Sequence, residues 1–66
     1  MTIGENIRDL RKSAGLTQTA LANMLFISQD TVSLWELDKA LPDINALILM
    51  TKIFKVTSDY ILGLED

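Results

Sequence analysis

The sequence predicts an all-α fold, a compact bundle of five short helices, on three observations. Five Thr, Ser or Asp residues stand where helix N-caps are needed, each before a stretch whose apolar residues recur at helical spacing. No stretch alternates apolar and polar residues in the manner of a half-buried strand. The length of 66 residues is typical of one domain, which is predicted to span residues 1–66. At this size only ~60% of the unfolded surface becomes buried, so stability depends on close helix packing.

The first helix is predicted over residues 3–14. Thr2 and Glu5 stand three apart at its start, which is the spacing of a capping box, in which each side chain bonds the other residue's backbone N–H. Gly15 follows the helix, where a residue of positive φ commonly closes the last turn. The residues expected on one stripe of this helix are Ile3, Ile7, Leu10 and Arg11.

Two further helices, over residues 18–25 and 29–37, are predicted to form a helix-turn-helix motif. Thr17 and Ser28 are their N-caps, and each is followed by a Gln. Ala22 is small at the position where the two helices would cross closely. A second helix supported in this way is a common means of presenting side chains to the DNA major groove.

The fourth helix is predicted over residues 44–54. It follows a loop of residues 38–43, because Pro42 prevents the third helix from continuing. Asp43 is its N-cap. The side chains expected to point inward are Leu47, Met50, Ile53 and Phe54.

The last helix is short and is predicted over residues 58–62. Thr57 is its N-cap, and Gly63 ends it.

The composition excludes several kinds of site. The chain has no Cys and no His, so it forms no disulfides and lacks the usual structural zinc ligands. It has no glycine-rich phosphate loop, and its carboxylates are scattered, so we expect no enzyme activity, cofactor, metal or small-molecule ligand. No apolar run approaches the ~20 residues of a membrane span, and no signal peptide is visible, so a cytoplasmic location is expected.

The charge balance argues against non-specific nucleic-acid binding. The net charge is −3 and the pI is about 4.6, whereas binding to phosphates regardless of sequence relies on Lys and Arg. A local basic face remains compatible with this balance. The six cations are Arg8, Arg11, Lys12, Lys39, Lys52 and Lys55.

Several motifs, taken together in their order and spacing, resemble the phage repressor/Cro-type (Xre) helix-turn-helix family. They are Leu16-Thr17-Gln18, Leu21-Ala22, Ile27-Ser28, Val32-Ser33-Leu34-Trp35-Glu36, Leu41-Pro42-Asp43 and residues 56–63. The resemblance covers residues 3–63. It implies a lambda-repressor-like five-helix domain that belongs to a transcriptional regulator, with a repressor as the leading expectation. It also implies that the protein binds double-stranded DNA at a palindromic operator as a homodimer.

The resemblance also implies roles for single residues. The positions of helix three that face the bases are Gln29, Asp30, Thr31, Ser33 and Leu34. Contacts with DNA phosphates are implied for Thr17, Gln18 and Lys39, with added charge from Lys12 and Arg8. The dimer interface is expected at Leu49, Val56, Tyr60, Ile61 and Leu64.

Chemistry supports several of these roles. The amide of Gln29 can pair bidentately with adenine, the carboxylate of Asp30 can accept from cytosine N4, and Leu34 can contact a thymine methyl group. The resemblance further implies an internal ion pair between Arg11 and Glu36, and a planar guanidinium suits such a partly buried site.

The sequence also departs from the family pattern, and the departures support a second function. Phe26 stands where the family has Gly, in a turn that often needs positive φ, and Asp30 places a negative charge near the DNA side. Leu34, Leu37 and Leu49 replace residues that are usually polar or small. With 48% hydrophobic residues, the chain can supply either an efficient core or an exposed interface. The alternative is therefore a protein-interaction module, of an anti-repressor or antitoxin-like kind, which a neutral apolar surface over helix three would favour.

Overall fold

The computed structural model describes residues 1–65 and confirms the all-α prediction. Its five helices are α1 (Ile3–Ser13), α2 (Gln18–Leu25), α3 (Gln29–Glu36), α4 (Ile44–Phe54) and α5 (Ser58–Leu62). Within that part of the chain there is no strand, and no helix has the length and apolar character needed to cross a membrane. Two predicted ends were one residue too long, because Ala14 and Leu37 are C-caps rather than the last helical residues.

All five predicted N-caps are present. Each cap has extended backbone and a side-chain oxygen that accepts from the backbone N–H three residues later, which satisfies one of the free donors at the helix start. Thr2 and Glu5 form the complete capping box. The caps are Thr2, Thr17, Ser28, Asp43 and Thr57.

Each of the five helices contributes buried side chains to one hydrophobic core. Its largest fully buried side chains are Ile7, Leu21, Val32, Met50 and Ile61. α3 packs against both α1 and α2, while α5 packs against α1 and α4. Because the buried side of α3 is held by Val32 and Trp35, the opposite side of this helix is left at the surface.

The assignment of Ile61 to a dimer interface was wrong. Its side chain is fully buried because α5 lies across α1 and α4 and turns Ile61 into the core. The buried Asn6 holds α5 in this orientation, since its Nδ2 donates to the carbonyl oxygens of Tyr60 at 3.3 Å and Ile61 at 3.1 Å. The other four candidates are nearer the surface: Leu49 and Val56 are half-buried, and Tyr60 and Leu64 are exposed.

A contact between the start of α1 and the end of α3 fixes the third helix on the bundle. Asp38 accepts from the backbone N–H of Gly4 at 2.9 Å and from the hydroxyl of Thr2 at 2.7 Å. Gly4 is buried, and a Cβ atom built on it would lie 2.2 Å from the backbone oxygen of Trp35. Only a glycine therefore permits this close approach.

Phe26 adopts the left-handed conformation that the family's Gly would occupy. Its φ is 60° and ψ 38°, and it is the C-cap of α2, with its backbone N–H bonded to α2 carbonyls. The ring is 89% exposed, so it gains little from packing within the domain. A residue with a Cβ atom is strained here by roughly 1–2 kcal/mol.

We expect Phe26→Gly to raise the free energy of unfolding by about 1 kcal/mol, because it relieves this strain and removes almost no packing. Urea unfolding of both proteins measures the difference. Phe26→Ala is the matched control: it removes the ring but keeps the Cβ atom, so it should show no such gain. A loss of stability in Phe26→Gly would show that the ring makes contacts worth more than the strain.

Candidate nucleic-acid interface

The base contacts implied by the family resemblance all lie on α3. Gln29 and Asp30 are exposed in its first turn, and Leu34 is 42% exposed one turn later. Thr31 and Ser33 are half-buried. The hydroxyl of Thr31 also shares a 2.9 Å hydrogen bond with that of Ser28.

The ion pair between Arg11 and Glu36 is present and joins three elements. Arg11 Nε donates to Glu36 Oε2 at 2.7 Å, and Nη2 donates to Oε1 at 3.0 Å. The third guanidinium nitrogen, Nη1, donates to the carbonyl of Leu16 at 2.9 Å, just before α2. The side chains are 11% and 4% exposed. The pair therefore connects α1, the start of α2 and the end of α3 away from solvent.

Both charges of the pair are stabilised by their surroundings. The hydrogen bond to Glu36 raises the pKa of the Arg11 guanidinium above its usual value. Burial alone would raise the pKa of the Glu36 carboxyl, but bonds from Arg11 and Gln18, together with the charges of Arg11 and Arg8, hold that pKa below its usual range. Glu36 is thus a carboxylate that only accepts hydrogen bonds.

Two glutamines extend this pair to the surface of α3. Gln18 Nε2 donates to Glu36 Oε1 at 3.1 Å, and Gln29 Nε2 donates to Gln18 Oε1 at 2.7 Å. We call Arg11, Glu36, Gln18 and Gln29 the polar chain. Sequence reasoning treated its ion pair and its glutamines as separate features. The available signal was that both glutamines directly follow an N-cap, so the starts of two packed helices bring them together.

The depressed pKa of Glu36 predicts an acid-sensitive fold. A free Glu carboxyl has a pKa of about 4.3, and a lower pKa in the folded state means that unfolding takes up a proton below that pH. The stabilising effect is complete above about pH 4.3 and is lost as the pH falls through the lower folded pKa. We expect the free energy of unfolding of the wild type to fall more steeply below this pH than that of Glu36→Gln. Chemical unfolding across this range measures both curves, and parallel curves would contradict the assignment.

α3 itself carries no cation. Lys39 follows the helix, and its backbone N–H donates to the carbonyl of Leu34. Arg8, whose charge reaches Glu36, and Lys12 are exposed on α1. The exposed face of α3 itself carries the carboxylate of Asp30 and the apolar side chain of Leu34. α3 therefore contributes one negative charge and no positive charge to this surface.

A model of the helix-turn-helix family matches residues 7–61, which includes most of α1, all of α2, α3 and α4, and most of α5. The chain belongs to the helix-turn-helix family. Its α2 and α3, joined by residues 26–28, form the motif that names the family. The domain is of the kind found in the transcriptional regulators that it resembles.

Two curated relatives illustrate this. The HTH-type transcriptional activator BcrR of Enterococcus faecalis is 36% identical over 66 residues, which are all of this chain and 32% of the relative. The HTH-type transcriptional regulator DicA of Escherichia coli (strain K12) is 40% identical over 67 residues, all of this chain and 50% of the relative. The chain thus spans about a third to a half of the length of these relatives.

A solved structure agrees over the whole helix-turn-helix domain. The P22 c2 repressor protein, of Salmonella phage P22, was crystallised in complex with a synthetic operator. It superposes with a TM-score of 0.91 at 31% sequence identity, covering 98% of each chain. The lambda-repressor-like, five-helix prediction is therefore confirmed.

Proposed function

We propose that this helix-turn-helix domain binds DNA in a sequence-specific manner as part of a transcriptional regulator, with α3 in the major groove. The observation that carries the proposal is the amide of Gln29, which is exposed in the first turn of α3 and held by Gln18. Gln29 Nε2 gives one hydrogen to Gln18, which leaves its second hydrogen and Oε1 for a partner. A donor beside an acceptor is what the major-groove edge of adenine requires.

The neighbouring side chains extend this reading surface. Asp30 would accept from cytosine N4, and Leu34 would contact a thymine methyl group. Ser33 would bond a base or a phosphate, and the methyl group of Thr31 would add an apolar contact. The preferred site would therefore present adenine to Gln29, cytosine to Asp30 and a thymine methyl group to Leu34.

Phosphate contacts would hold α3 in register on the DNA. The hydroxyl oxygen of Thr17 accepts from Ala20 N–H, so its hydrogen remains to be donated. Gln18 keeps one free Nε2 hydrogen after bonding Glu36. Lys39, Lys12 and Arg8 would neutralise phosphates at the edges of the interface.

We expect Gln29→Ala to cost ~1–3 kcal/mol of binding at the preferred site and to relax selection at the contacted base, because it removes a bidentate pair. Lys39→Ala is the matched control: it should weaken all duplexes alike and reduce the salt slope by ~0.9, since a phosphate contact carries no sequence information. Titration against selected and scrambled duplexes at two salt concentrations measures both effects. Equal losses on both duplexes for Gln29→Ala would rule out its role in reading bases.

A homodimer on a palindromic operator completes the proposal. Two copies related by a two-fold axis would place their α3 helices one DNA turn apart, ~34 Å. The proposed contacts are Tyr60 and Leu64, which are exposed, and Leu49 and Val56, which are half-buried. Repression, rather than activation, and action in the cytoplasm belong to the same proposal. Sedimentation showing only monomer at every concentration, with and without DNA, would contradict the dimer.

A protein-interaction module is the second candidate, and one observation favours it. Phe26, in the turn before α3, is 89% exposed, and Leu37, directly after α3, is 60% exposed. Leu34 lies between them in sequence, on α3. Apolar residues at such positions are typical of a surface that another protein covers. The absence of any preference among DNA duplexes would favour this candidate.

A further inference from the structure

We propose that Glu36 is a positioning residue that sets the base preference of Gln29, by fixing the direction of every hydrogen bond in the polar chain. The inference rests on the proposed reading of adenine by Gln29. Only 4% of the Glu36 side chain is exposed, so it cannot touch a base. It would nevertheless control which base Gln29 selects.

The direction of each hydrogen bond in the polar chain follows from Glu36 outward. A glutamine amide has a donor end and an acceptor end of nearly equal shape, so packing alone does not choose between its two orientations. The Glu36 carboxylate only accepts, and it is kept ionised by Arg11, so Gln18 must turn its Nε2 toward it. This leaves Gln18 Oε1 facing Gln29, and Gln29 must then turn its own Nε2 toward Gln18.

The orientation of the Gln29 amide determines which hydrogen-bonding groups face the DNA bases. With its Nε2 bonded to Gln18, Gln29 offers Oε1 beside one remaining N–H. Adenine presents N6–H as a donor beside N7 as an acceptor, which complements this pair. Guanine presents two acceptors, O6 and N7, so Gln29 Oε1 would face another acceptor. The fixed orientation therefore favours adenine over guanine.

Glu36→Gln tests the inference because it keeps the shape of the side chain but adds a donor. Arg11 donates to both carboxylate oxygens, at 2.7 Å to Oε2 and 3.0 Å to Oε1, and Gln18 shares Oε1 with it, so a new amide nitrogen meets an Arg11 donor at either position. The nitrogen costs less at the Oε1 position, where the Arg11 contact is longer and where Gln18 can turn over to accept from it. We therefore expect the new nitrogen to face Gln18 and both glutamines to reverse. Arg11→Lys is the matched control, since it weakens the same ion pair but leaves Glu36 able only to accept.

The first measurement is made on the free protein by NMR, through scalar couplings across hydrogen bonds. In the wild type and in Arg11→Lys, we expect a coupling between Gln29 Nε2 and the side-chain carbonyl carbon of Gln18. In Glu36→Gln, we expect that coupling to vanish and the reverse one, from Gln18 Nε2 to the carbonyl carbon of Gln29, to appear. The wild-type coupling persisting in Glu36→Gln would overturn the proposed control by Glu36.

The second measurement is the ratio of affinities for duplexes with adenine or guanine at the contacted position, below the melting temperature of each variant. We expect ~10-fold preference for adenine in the wild type, similar preference in Arg11→Lys, and little in Glu36→Gln. Equal loss of preference in both variants would reduce Glu36 to a structural role and overturn the inference. A wild type with no preference among any duplexes would instead refute the proposed function, and the inference on base selection with it, while the NMR directions would stand.

Discussion

Arg11→Met is expected to lower the free energy of unfolding by roughly 3–5 kcal/mol, which is the cost of breaking a buried ion pair by removing one partner. The substitution leaves the carboxylate of Glu36 with only the bond from Gln18, and it removes the donor that satisfies the Leu16 carbonyl. A domain of 66 residues is stable by only about 3–10 kcal/mol. The variant should therefore be substantially unfolded near room temperature or melt far below the wild type.

Urea and thermal unfolding followed by circular dichroism measure this loss. Arg8→Met is the matched control, because it also removes a positive charge from α1 but leaves the Arg11–Glu36 pair intact, so it should change stability by about 0.5 kcal/mol or less. Combining Arg11→Met with Glu36→Leu should recover part of the loss, since no unpaired charge then stays buried. An unchanged melting temperature for Arg11→Met would show that the pair contributes nothing to stability.

Gly4→Ala is expected to cost about 3 kcal/mol, at the upper end for overpacking a close contact. The added methyl group would lie 2.2 Å from the backbone oxygen of Trp35 and 2.8 Å from Asp38 Oδ1. Asp38 can rotate away, but the Trp35 oxygen belongs to α3 and can move only with the helix. α1 and α3 must therefore separate, which also stretches the bond from Gly4 N–H to Asp38.

Gly15→Ala separates this overlap from ordinary glycine strain. Gly15 has a φ of +73° and no heavy atom within 4 Å of an added Cβ, so alanine there should cost only ~1–2 kcal/mol. Chemical unfolding of both variants under the same conditions makes the comparison. A smaller loss for Gly4→Ala than for Gly15→Ala would mean that the start of α1 moves freely on α3.

The parts of the fold that the sequence predicted are those decided by local chemistry. Each N-cap is recognisable because a short polar side chain bonds the backbone three residues later. The left-handed conformation of Phe26 was also predictable, since the family's pattern has Gly there. Pro42 and Asp43 located the start of α4 to the residue.

The rest depends on which residues the folded chain brings together. Asp38 and Lys55 have φ values of 59° and 56° without the glycine that signals such a conformation. The bond from Asp38 to Gly4 and the polar chain from Glu36 to Gln29 both join different helices, so no local pattern announces them. Ile61 was misplaced because a five-residue helix is too short for its apolar spacing to define an inward side.

The central claim, that α3 reads DNA bases, is tested most directly by selecting duplexes from a random pool with the wild-type protein. Binding of the selected duplex and of a scrambled duplex of equal composition is then measured at low and moderate salt. The account predicts that a defined sequence containing adenine is enriched. This sequence should bind at least ~10-fold more tightly than its scrambled version, which is the discrimination expected of one good bidentate contact. No enriched sequence, and equal binding of all duplexes even at low salt, would contradict it and leave the protein-interaction module as the function.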